Sequence, residues 1–485
     1  MSPRSSIVFH VNSRRFQVSG RDCLRTLAEF LRREHGLTGT KVVCAEGDCG
    51  ACTVLCASIH QAVGGRLRYQ AVNSCILPLY VLDACHVITV EGLQDGAALH
   101  PVQTALVENF AAQCGYCTPG FACAMTALAE EARREGRTAV SEKKARNELT
   151  GNLCRCTGYD SILKAAQTVR LDPTRGLAER YHNTERIREF TELSARSVAI
   201  ESGGVAVFLP ASLEKALELR KRLPGLKVVG GATDLGVLVN KGLESPVAIL
   251  SLQHVAQLRL VRRDGGWAEV GAGVTLSALQ PFAEEQAPEL GRLLNVFASP
   301  QIKNRATMVG NVVNASPVGD LIPFLLVSDA DLTLKSADAE RAVPLDGFYR
   351  GYKRTDLRPE ELATAIRFRL PSAGSLTRLY KASRRKDLDI SAVAFAARLE
   401  LEGRVIRSAR VAFAGVAPTV VRLKELEEEW TGAEFSRALF ELSARRLTSL
   451  VSPISDVRGS REFRLKLCRN FLLKFHDDVR AEVAP

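Results

Sequence analysis

Long apolar runs are missing from this sequence of 485 residues. No stretch of about 18 uncharged apolar residues occurs, which argues against a membrane-spanning helix. The opening residues, MSPRSSIVFHVNSRRF, alternate polar and apolar side chains and lack the apolar block of a secretory signal peptide. Internal repeats and low-complexity segments are missing as well. We therefore expect a cytoplasmic protein without a membrane span.

The sequence also lacks a nucleic-acid-binding motif. Lysine and arginine total 65 against 54 acidic residues, which gives a net charge of +11. The basic side chains are scattered through helix-like stretches such as 131–137 and 445–464, without interleaved aromatic residues. We interpret this positive charge as a solvated surface and predict no nucleic-acid partner.

Cysteine is nearly absent from the carboxy-terminal two thirds of the chain. Of 13 cysteines, only Cys468 lies beyond residue 157. A secreted disulfide scaffold would be short and rich in cysteine throughout, so the distribution argues against one. Because a cytosolic chain rarely keeps many thiols without a use for them, metal or redox chemistry is predicted in the amino-terminal third.

The length predicts several domains, because a single hydrophobic core stops growing near about 250–300 residues. A hairpin over residues 7–18, a helix beginning near Asp22 and a cysteine loop indicate a small α+β domain, and helical periodicity follows. The predicted divisions are an α+β domain, a helical domain, a charged linker, an α/β or α+β domain and a small α+β domain, over residues 1–92, 93–170, 171–200, 201–372 and 373–485.

The first cysteine group is spaced C-x4-C-x2-C in the string CAEGDCGAC, with a fourth member further on: Cys44, Cys49, Cys52 and Cys75. This spacing is typical of plant-type 2Fe-2S ferredoxins. Gly47 and Gly50 let the backbone turn so that the thiolates converge. Structural zinc is the alternative, but zinc more often uses two C-x2-C pairs, so an iron-sulfur cluster is favoured. Cys23, Cys56 and Cys85 are predicted to be buried core thiols.

The second cysteine group combines a C-x2-C pair in QCGYCTPGF with a C-x-C pair in GNLCRCTGY: Cys114, Cys117, Cys154 and Cys156. Each pair precedes a predicted helix, whose free N–H groups and dipole favour thiolate charge. Four such ligands could also close a tetrahedral zinc site. The spacing alone therefore leaves both a 2Fe-2S cluster and zinc open.

Taken together, CAEGDCGAC, Cys75, QCGYCTPG and NLCRCTG closely resemble the two iron-sulfur domains of the molybdenum hydroxylases, the family of xanthine dehydrogenase and aldehyde oxidase. The resemblance implies a 2Fe-2S cluster at each cysteine group. It implies a multidomain α+β protein that begins with a β-grasp ferredoxin-like domain and a four-helix 2Fe-2S domain. It also implies that Gln113 contacts a molybdopterin held by a partner chain.

Two further segments carry candidate flavin contacts. The string VVGGATDLG, residues 228–236, predicts a strand, a glycine turn and a helix, which could present N–H groups to a pyrophosphate. It is not the G-x-G-x-x-G of a Rossmann unit, and the turn alone leaves phosphate binding open. Residues 297–321 are dense in small polar side chains, for which a plain loop is the alternative. Both segments resemble the FAD-contacting stretches of the molybdenum hydroxylases, which implies a vanillyl-alcohol-oxidase-type FAD domain.

The same resemblance implies individual FAD contacts in both segments, and an aromatic contact in FYRGYKRT near the nicotinamide-binding face of the flavin. The implied contacts are Val229, Gly230, Gly231, Ala232, Thr233, Asp234, Leu235, Phe297, Thr307, Gly310, Asn311, Asn314, Ser316, Asp320 and Tyr352. A surface loop would explain FYRGYKRT equally well. One departure is visible, because Ser391 and Ala392 supply no cation where other members carry a lysine after the SRR string.

The order of these parts resembles the separately encoded small subunit of a bacterial family member, since no molybdopterin domain follows them. The resemblance implies an obligate complex with a molybdopterin-binding large subunit, expected as a heterotetramer of two small and two large chains. Electrons from a purine would pass through the second cluster, the first cluster and FAD to NAD, while hypoxanthine and xanthine are oxidised to urate.

Fusion of the iron-sulfur and flavin parts favours the xanthine dehydrogenase branch, because many carbon monoxide and aldehyde relatives keep these parts separate. A small subunit of an aldehyde or N-heterocycle hydroxylase is the alternative within the family, since it would share every cofactor. A zinc-binding assembly module without redox activity is the alternative from another class.

Overall fold

The computed structural model describes residues 2–172 and 176–483, so residues 173–175 of the predicted linker lie outside it. The chain divides into two compact units. Unit 1 runs to Ala216 and also includes Gly225–Ala256 and Ser299–Ala306. Unit 2 comprises Leu217–Pro224, Gln257–Ala298 and the described residues from Thr307 onward.

Short strands and helices alternate along the chain. The strands are β1 (Ile7–Val11), β2 (Arg14–Val18), β3 (Thr53–Ser58), β4 (Gln70–Asn73), β5 (Cys85–Ile88), β6 (Val198–Ser202), β7 (Val205–Leu209), β8 (Lys227–Val229), β9 (Ala248–Ser251), β10 (Val261–Asp264), β11 (Trp267–Gly271), β12 (Asp331–Lys335), β13 (Glu340–Pro344), β14 (Tyr349–Gly351), β15 (Arg354–Thr355), β16 (Leu362–Arg369), β17 (Leu376–Ala382), β18 (Val393–Glu402), β19 (Val405–Ala414) and β20 (Val421–Arg422). The α-helices are α1 (Leu27–Glu29), α2 (Pro101–Glu108), α3 (Thr118–Arg134), α4 (Glu142–Glu148), α5 (Asp160–Thr168), α6 (Leu177–Arg180), α7 (Thr184–Ser194), α8 (Leu213–Arg222), α9 (Thr233–Asn240), α10 (Leu276–Gln286), α11 (Pro288–Asn295), α12 (Pro300–Lys303), α13 (Met308–Val313), α14 (Leu321–Val327), α15 (Lys424–Trp430), α16 (Arg437–Leu450) and α17 (Arg461–Val479). Within residues 2–172 and 176–483, every helix is too short or too polar to cross a membrane.

Unit 1 begins with a mixed five-stranded sheet in the order β2-β1-β5-β3-β4. Strands β1 and β2 pair antiparallel from Ile7 opposite Val18, which confirms the predicted hairpin. The helix that follows is capped by Thr26, whose hydroxyl accepts the Glu29 N–H at 3.2 Å, so the start expected near Asp22 is wrong by about one turn. Asp22 instead lies in a preceding 3-10 turn. Three cysteines are buried in this core as predicted: Cys23, Cys56 and Cys85.

The next part of unit 1 is a bundle of four helices, α2 to α5. Their apolar faces share one core that includes Leu106, Phe121 and Ile162. Pro101 and Pro119 occupy the first turns of α2 and α3, where the missing proline N–H costs nothing. Together with the mixed sheet, this bundle confirms the predicted fold class for the amino-terminal third.

The predicted linker is partly helical. Helices α6 and α7 lie within residues 171–200, and Leu177, Phe190 and Leu193 are buried in the same core as the four-helix bundle. Most of the remaining side chains of these helices are charged, and they are exposed or half-buried. Composition indicated a linker because only a narrow stripe of each short helix is apolar.

A second sheet of unit 1 has the order β6-β7-β9-β8, with β9 parallel to both β7 and β8. Strand β8 leads through a glycine turn into α9, as residues 228–236 predicted.

A buried carboxylate joins this second sheet to the first. Asp83 accepts hydrogen bonds from the Val8 N–H at 2.7 Å and from Arg4 Nη1 at 3.0 Å, and its Oδ2 lies 2.8 Å from Nε2 of His254, just after β9. Burial by itself raises the pKa of Asp83, yet the hydrogen bonds from His254 and Arg4 hold it below its ordinary value. The charge is therefore compensated within the core.

Unit 2 contains an antiparallel sheet in the order β10-β11-β16-β12-β13 and a second antiparallel sheet in the order β17-β18-β19-β20. Helices α15, α16 and α17 pack on the second sheet through a core rich in phenylalanine, including Phe395, Phe413, Phe440 and Phe475. Neither sheet is the doubly wound parallel sheet of a Rossmann domain. This agrees with the predicted fold class.

The buried side chain of His86, in β5, lies against Asn12, Tyr69 and Arg186. Its Nε2 donates to the Asn12 carbonyl at 2.6 Å, and its Nδ1 accepts the Tyr69 hydroxyl at 2.7 Å. Burial, followed by the charge of Arg186, lowers the pKa of His86 to about 3. An unfolded histidine titrates near pH 6.5, so the unfolded chain binds a proton that the folded chain excludes.

We predict that acid weakens unit 1 through this histidine. Above about pH 6.5 the stabilisation is complete, and it is lost progressively as the pH falls toward 3. The midpoint of thermal unfolding should decrease from pH 7.5 to pH 5.5. His86→Gln, which can keep both hydrogen bonds, should make this decrease smaller.

The control for this prediction is His182→Gln, which removes an exposed histidine and should retain the full decrease. An equal decrease in the His86→Gln protein and the unaltered protein would contradict the assignment.

Candidate functional site

The first cysteine group occupies the loop before β3 and the turn after β4. The thiol of Cys44 lies within hydrogen-bonding reach of the thiols of Cys49 and Cys75, and Cys75 in turn reaches Cys52. The structure thus brings the four predicted ligands into one connected row of sulfurs.

Two backbone amides lie against Cys44, which is half-buried. The N–H groups of Glu46 and Cys49 each lie 3.4 Å from Sγ of Cys44. Gly47 and Gly50 have φ angles of +73° and +67°, the left-handed conformation that glycine adopts without strain. Hydrogen bonds from the Cys49 and Cys75 thiols, aided by the two amides, hold the pKa of Cys44 below its ordinary value despite burial. The loop therefore favours a thiolate at Cys44, whereas the same hydrogen bonds raise the pKa of Cys49 and Cys75.

The second cysteine group lies at the starts of α3 and α5. The sulfurs of Cys114 and Cys156 are 3.6 Å apart, and Cys117 is within hydrogen-bonding reach of Cys154. Burial raises the pKa of Cys154, but hydrogen bonds from the Thr157 hydroxyl at 3.2 Å and the Cys156 N–H at 3.4 Å outweigh it and lower the pKa. The second group therefore consists of two pairs of neighbouring thiols.

Both groups supply the four thiolates that a 2Fe-2S cluster takes, spread over two irons. In the first group Cys44 lies between Cys49 and Cys75, and Cys75 also reaches Cys52. The second group consists of two pairs. Near the second group, the buried Thr118 hydroxyl has no hydrogen-bond partner among the described residues, which leaves it free to donate to a cluster sulfur.

The two cysteine loops touch backbone to backbone. A Cβ on Gly50 would collide with the Gly151 carbonyl, and a Cβ on Gly120 would collide with the Gly50 carbonyl. The Leu153 N–H donates to the Cys49 carbonyl at 3.0 Å. Gly50, Gly120 and Gly151, the glycines of CGAC, CTPG and GNLC, therefore permit close contact between the loops. They also permit the turns within each loop.

The first predicted flavin segment lies wholly in unit 1, where Val229 ends β8 and Thr233, Asp234 and Leu235 form the first turn of α9. Between them, Gly230 and Gly231 form the turn and Ala232 adopts a φ of +63° as the helix cap. A Cβ on Gly231 would collide with the Arg305 carbonyl. This glycine is therefore required by the protein's own packing, whatever binds at the turn.

Helix α9 runs from this turn to the first cysteine loop. At its end, Nδ2 of Asn240 donates to the carbonyls of Cys75 and Ala45, both at 2.8 Å. A Cβ on Gly236 in the same helix would collide with the Ile76 carbonyl. One helix thus connects the candidate pyrophosphate turn to the first cysteine group. The sequence analysis missed Asn240, since nothing in its neighbourhood indicates a contact so distant in the chain.

In unit 2 the second predicted flavin segment contains helix α13, whereas residues 314–320 form the loop that was the alternative, and this loop carries Asn314, Ser316 and Asp320. Thr307 caps α13 by accepting the Gly310 N–H at 3.0 Å. Oδ1 of Asn311 is buried and has no hydrogen-bond partner in the part of the chain that the structure describes. An acceptor of this kind fits a ligand with a hydrogen-bond donor, such as a flavin. Ser316 accepts the Val318 N–H at 3.4 Å.

Asp320, at the end of this segment, is buried in an ion pair. Nζ of Lys381 lies 2.8 Å from one carboxylate oxygen, and the Ser391 hydroxyl donates to the other at 2.6 Å. The same Nζ lies 5.9 Å from the ring centre of Phe297. Ser391 and Ala392 supply no cation themselves, but Lys381 from β17 contacts the same carboxylate as Ser391. The sequence analysis did not identify this lysine.

The segment FYRGYKRT forms the hairpin β14-β15. The Tyr349 hydroxyl donates to the Val312 carbonyl at 3.2 Å, and Nζ of Lys353 donates to the carbonyl and side-chain oxygen of Asn314 at 2.9 and 2.8 Å. These contacts hold the hairpin on the second flavin segment. Tyr352 stands at its tip with 63% of its surface exposed.

Four family models match consecutive parts of the chain. They are described as 2Fe-2S iron-sulfur cluster binding domain, [2Fe-2S] binding domain, FAD binding domain in molybdopterin dehydrogenase, and CO dehydrogenase flavoprotein C-terminal domain, over residues 9–79, 89–167, 201–372 and 378–479.

Curated relatives similar to this chain are named xanthine dehydrogenases. The protein from Emericella nidulans is 30% identical over 99% of this chain and 39% of its own length. Xanthine dehydrogenase 1 from Arabidopsis thaliana is 30% identical over 93% of this chain and 38% of its own length. The chain thus spans about two fifths of the relatives it matches.

Solved structures share the fold over a little more than half of the chain. A carbon monoxide dehydrogenase chain from Hydrogenophaga pseudoflava has a TM-score of 0.55 at 23% identity, covering 57% of this chain and 98% of its own. Quinoline 2-oxidoreductase from Pseudomonas putida 86 has a TM-score of 0.52 at 24% identity, covering 56% and 94%.

We predict that Gly231→Val releases flavin while iron and labile sulfide stay unchanged. The new side chain would press the turn away from the Arg305 carbonyl, and overpacking of this kind costs about 1–3 kcal/mol, which as a loss of flavin affinity is roughly 5- to 160-fold. Flavin released by denaturation is measured against iron in the same sample.

Gly225→Val is the matched control, because a Cβ there meets open space in the same unit. It should retain flavin. Full flavin content in the Gly231→Val protein would move the flavin site away from this turn.

Proposed function

Because the chain belongs to the molybdenum hydroxylase family, whose iron-sulfur and flavin domains it carries, we propose that it is the electron-transfer subunit of a xanthine dehydrogenase. In this proposal a molybdopterin-binding large subunit oxidises hypoxanthine and xanthine to urate. The chain conducts the electrons through two 2Fe-2S clusters and FAD to NAD. The complex is proposed to be a heterotetramer of two small and two large chains.

One observation carries the proposal. Eight cysteines form two sets of four neighbouring thiols, and the loops that hold them are joined by a hydrogen bond from the Leu153 N–H to the Cys49 carbonyl. Two adjoining four-thiol sites serve the passage of single electrons. An isolated structural metal would need only one of them.

The residues present fit both kinds of cofactor. One cluster would be held by Cys44, Cys49, Cys52 and Cys75, and the other by Cys114, Cys117, Cys154 and Cys156. When bound, the clusters supply one-electron carriers, and FAD supplies a centre that can also exchange a hydride with a nicotinamide. The N–H groups and hydroxyls on the sulfurs stabilise thiolate charge, and burial of Cys52, Cys75 and Cys154 limits access of water.

For FAD, the turn at Gly230 and Gly231 would present N–H groups to the pyrophosphate. Thr307, Gly310, Asn311, Asn314 and Ser316 would supply polar contacts, together with the Asp320 carboxylate that Lys381 and Ser391 orient. Phe297 would supply an aromatic contact, and exposed Tyr352 would lie on the side where NAD approaches.

The proposed partner would approach the second cysteine group. Cys114 and Cys156 are exposed, whereas in the first group Cys44 and Cys49 are half-buried and Cys52 and Cys75 are buried. Gln113 is exposed beside Cys114, so its amide is free to reach a molybdopterin held by another chain. The second group would therefore receive electrons from the partner.

Co-purification tests the proposal. The chain isolated with its native partners should contain about four irons and four labile sulfides with one FAD, and should form NADH when xanthine is added. Mass spectrometry should identify a molybdopterin-binding chain. Activity only with aldehydes or with other N-heterocycles would assign a different branch of the family. Zinc in place of iron, in a colourless protein, would refute the redox function.

We predict that Cys154→Ser abolishes one of two electron paramagnetic resonance signals of the reduced complex, because serine at this position cannot complete the second thiol set. Reduction of flavin by xanthine should cease, while reduction of flavin by NADH should continue.

The control is Cys123→Ser, which alters a buried thiol of α3 outside both groups and should retain both signals. Two unchanged signals in the Cys154→Ser protein would show that this cysteine is not a ligand.

A further inference from the structure

The segment Ser299–Ala306 belongs to unit 1, although the residues before and after it belong to unit 2. Within unit 1 this segment contacts several functional parts. Arg305 packs its carbonyl on Gly231, and Ile302 packs against Gly47 of the first cysteine loop. The segment therefore lies against both the candidate flavin turn and a cysteine loop.

Gln301 is the member of this segment that joins the two cysteine loops. Its side chain is buried, and its Nε2 donates to Oδ1 of Asn152 at 2.8 Å and to Oγ1 of Thr53 at 3.2 Å. Thr53 follows Cys52 directly, and Asn152 lies two residues before Cys154. One amide thus contacts a neighbour of a candidate ligand in each group.

The direction of these hydrogen bonds requires an amide donor at position 301 to satisfy Asn152. The hydroxyl of Thr53 and Nδ2 of Asn152 both donate to the Gly50 carbonyl, at 2.6 and 2.8 Å. Oδ1 of Asn152 can only accept, and the Gln301 amide supplies its proton, whereas Oγ1 of Thr53 accepts from Gln301 and also from Nδ2 of Asn152 at 3.4 Å. Because Thr53, Asn152 and Gln301 are all at most 2% exposed, water does not replace a lost donor easily.

The network encloses the contact between the loops. Gly50, which accepts two of these hydrogen bonds, is also the residue whose Cβ would collide with the Gly151 carbonyl. Next to it the Leu153 N–H donates to the Cys49 carbonyl at 3.0 Å. This bond joins the residue beside candidate ligand Cys154 directly to candidate ligand Cys49.

We propose that Gln301 is a positioning residue for electron transfer between the two cysteine groups. Its amide holds both loops at the separation at which the Leu153–Cys49 hydrogen bond forms, and so sets the coupling between the sites. The inference rests on the proposed function, since it requires a cluster at each group. A residue that only fills the core would affect stability and leave this coupling unchanged.

Gln301→Glu and Gln301→Met test the inference in the complex purified with its partner. The first variant replaces the donor with an acceptor of the same shape, and the second removes hydrogen bonding at similar length. With iron and flavin content unchanged, the low-temperature electron paramagnetic resonance splitting between the two reduced clusters should decrease. Flavin reduction by xanthine should slow by roughly tenfold, the scale expected of a small shift in a reactive separation. Flavin reduction by NADH should keep its rate.

Asn304→Ala is the matched control in the same segment. Asn304 contacts Gln70 and the Ala71 carbonyl on β4, away from the loop contact, so the splitting and both rates should be retained.

An unchanged splitting and xanthine rate in both Gln301 variants, with full iron content, would overturn the inference. If both variants lose iron while Asn304→Ala keeps it, Gln301 serves cluster assembly, and the positioning role is also refuted. Absence of iron from the unaltered protein would instead refute the proposed function.

Discussion

The contact between the two cysteine loops constrains the rest of unit 1. Gly50 and Gly120 bring backbone atoms of separate segments so close that any side chain at these positions would collide with a backbone carbonyl, and a side chain on Gly151 would collide with the Gln301 amide. The backbone groups that meet there are buried and need partners, which the Leu153–Cys49 hydrogen bond supplies in part. Close contact also shortens the path between two groups of thiols, so one packing constraint serves both stability and electron transfer.

Long-range polar contacts then fix other segments around this contact. Asp83 joins Arg4 near the amino terminus to His254, which follows β9. Helix α9 begins at the candidate pyrophosphate turn, and Asn240 at its other end donates hydrogen bonds to two carbonyls of the first cysteine group and its loop. Asp83 and His254 are buried, where an unpaired polar atom is costly, so their contact specifies one arrangement of segments.

Unit 2 has its own buried polar group in Asp320, which combines with Lys381 and Ser391. The cation paired with Asp320 is Lys381 of β17, which precedes the SRR string. Because Lys381 and Asp320 lie far apart in the chain, no local pattern could pair them. The same limit applies to Gln301 and Asn152, because nothing in their own segments distinguishes these two residues from other amide residues.

The sequence by itself determined the features that local chemistry requires: the spacing of eight cysteines, the strand and glycine turn before α9, and the prolines that begin α2 and α3. These follow from short-range rules on ligand spacing, backbone conformation and helix termini. Charge composition predicted a linker over residues 171–200 and missed its two helices, because burial of Phe190 depends on a core built from other parts of the chain. Only the tertiary structure decided which glycines permit contact between loops and which amides join them, since such choices depend on atoms brought together from distant parts of the chain.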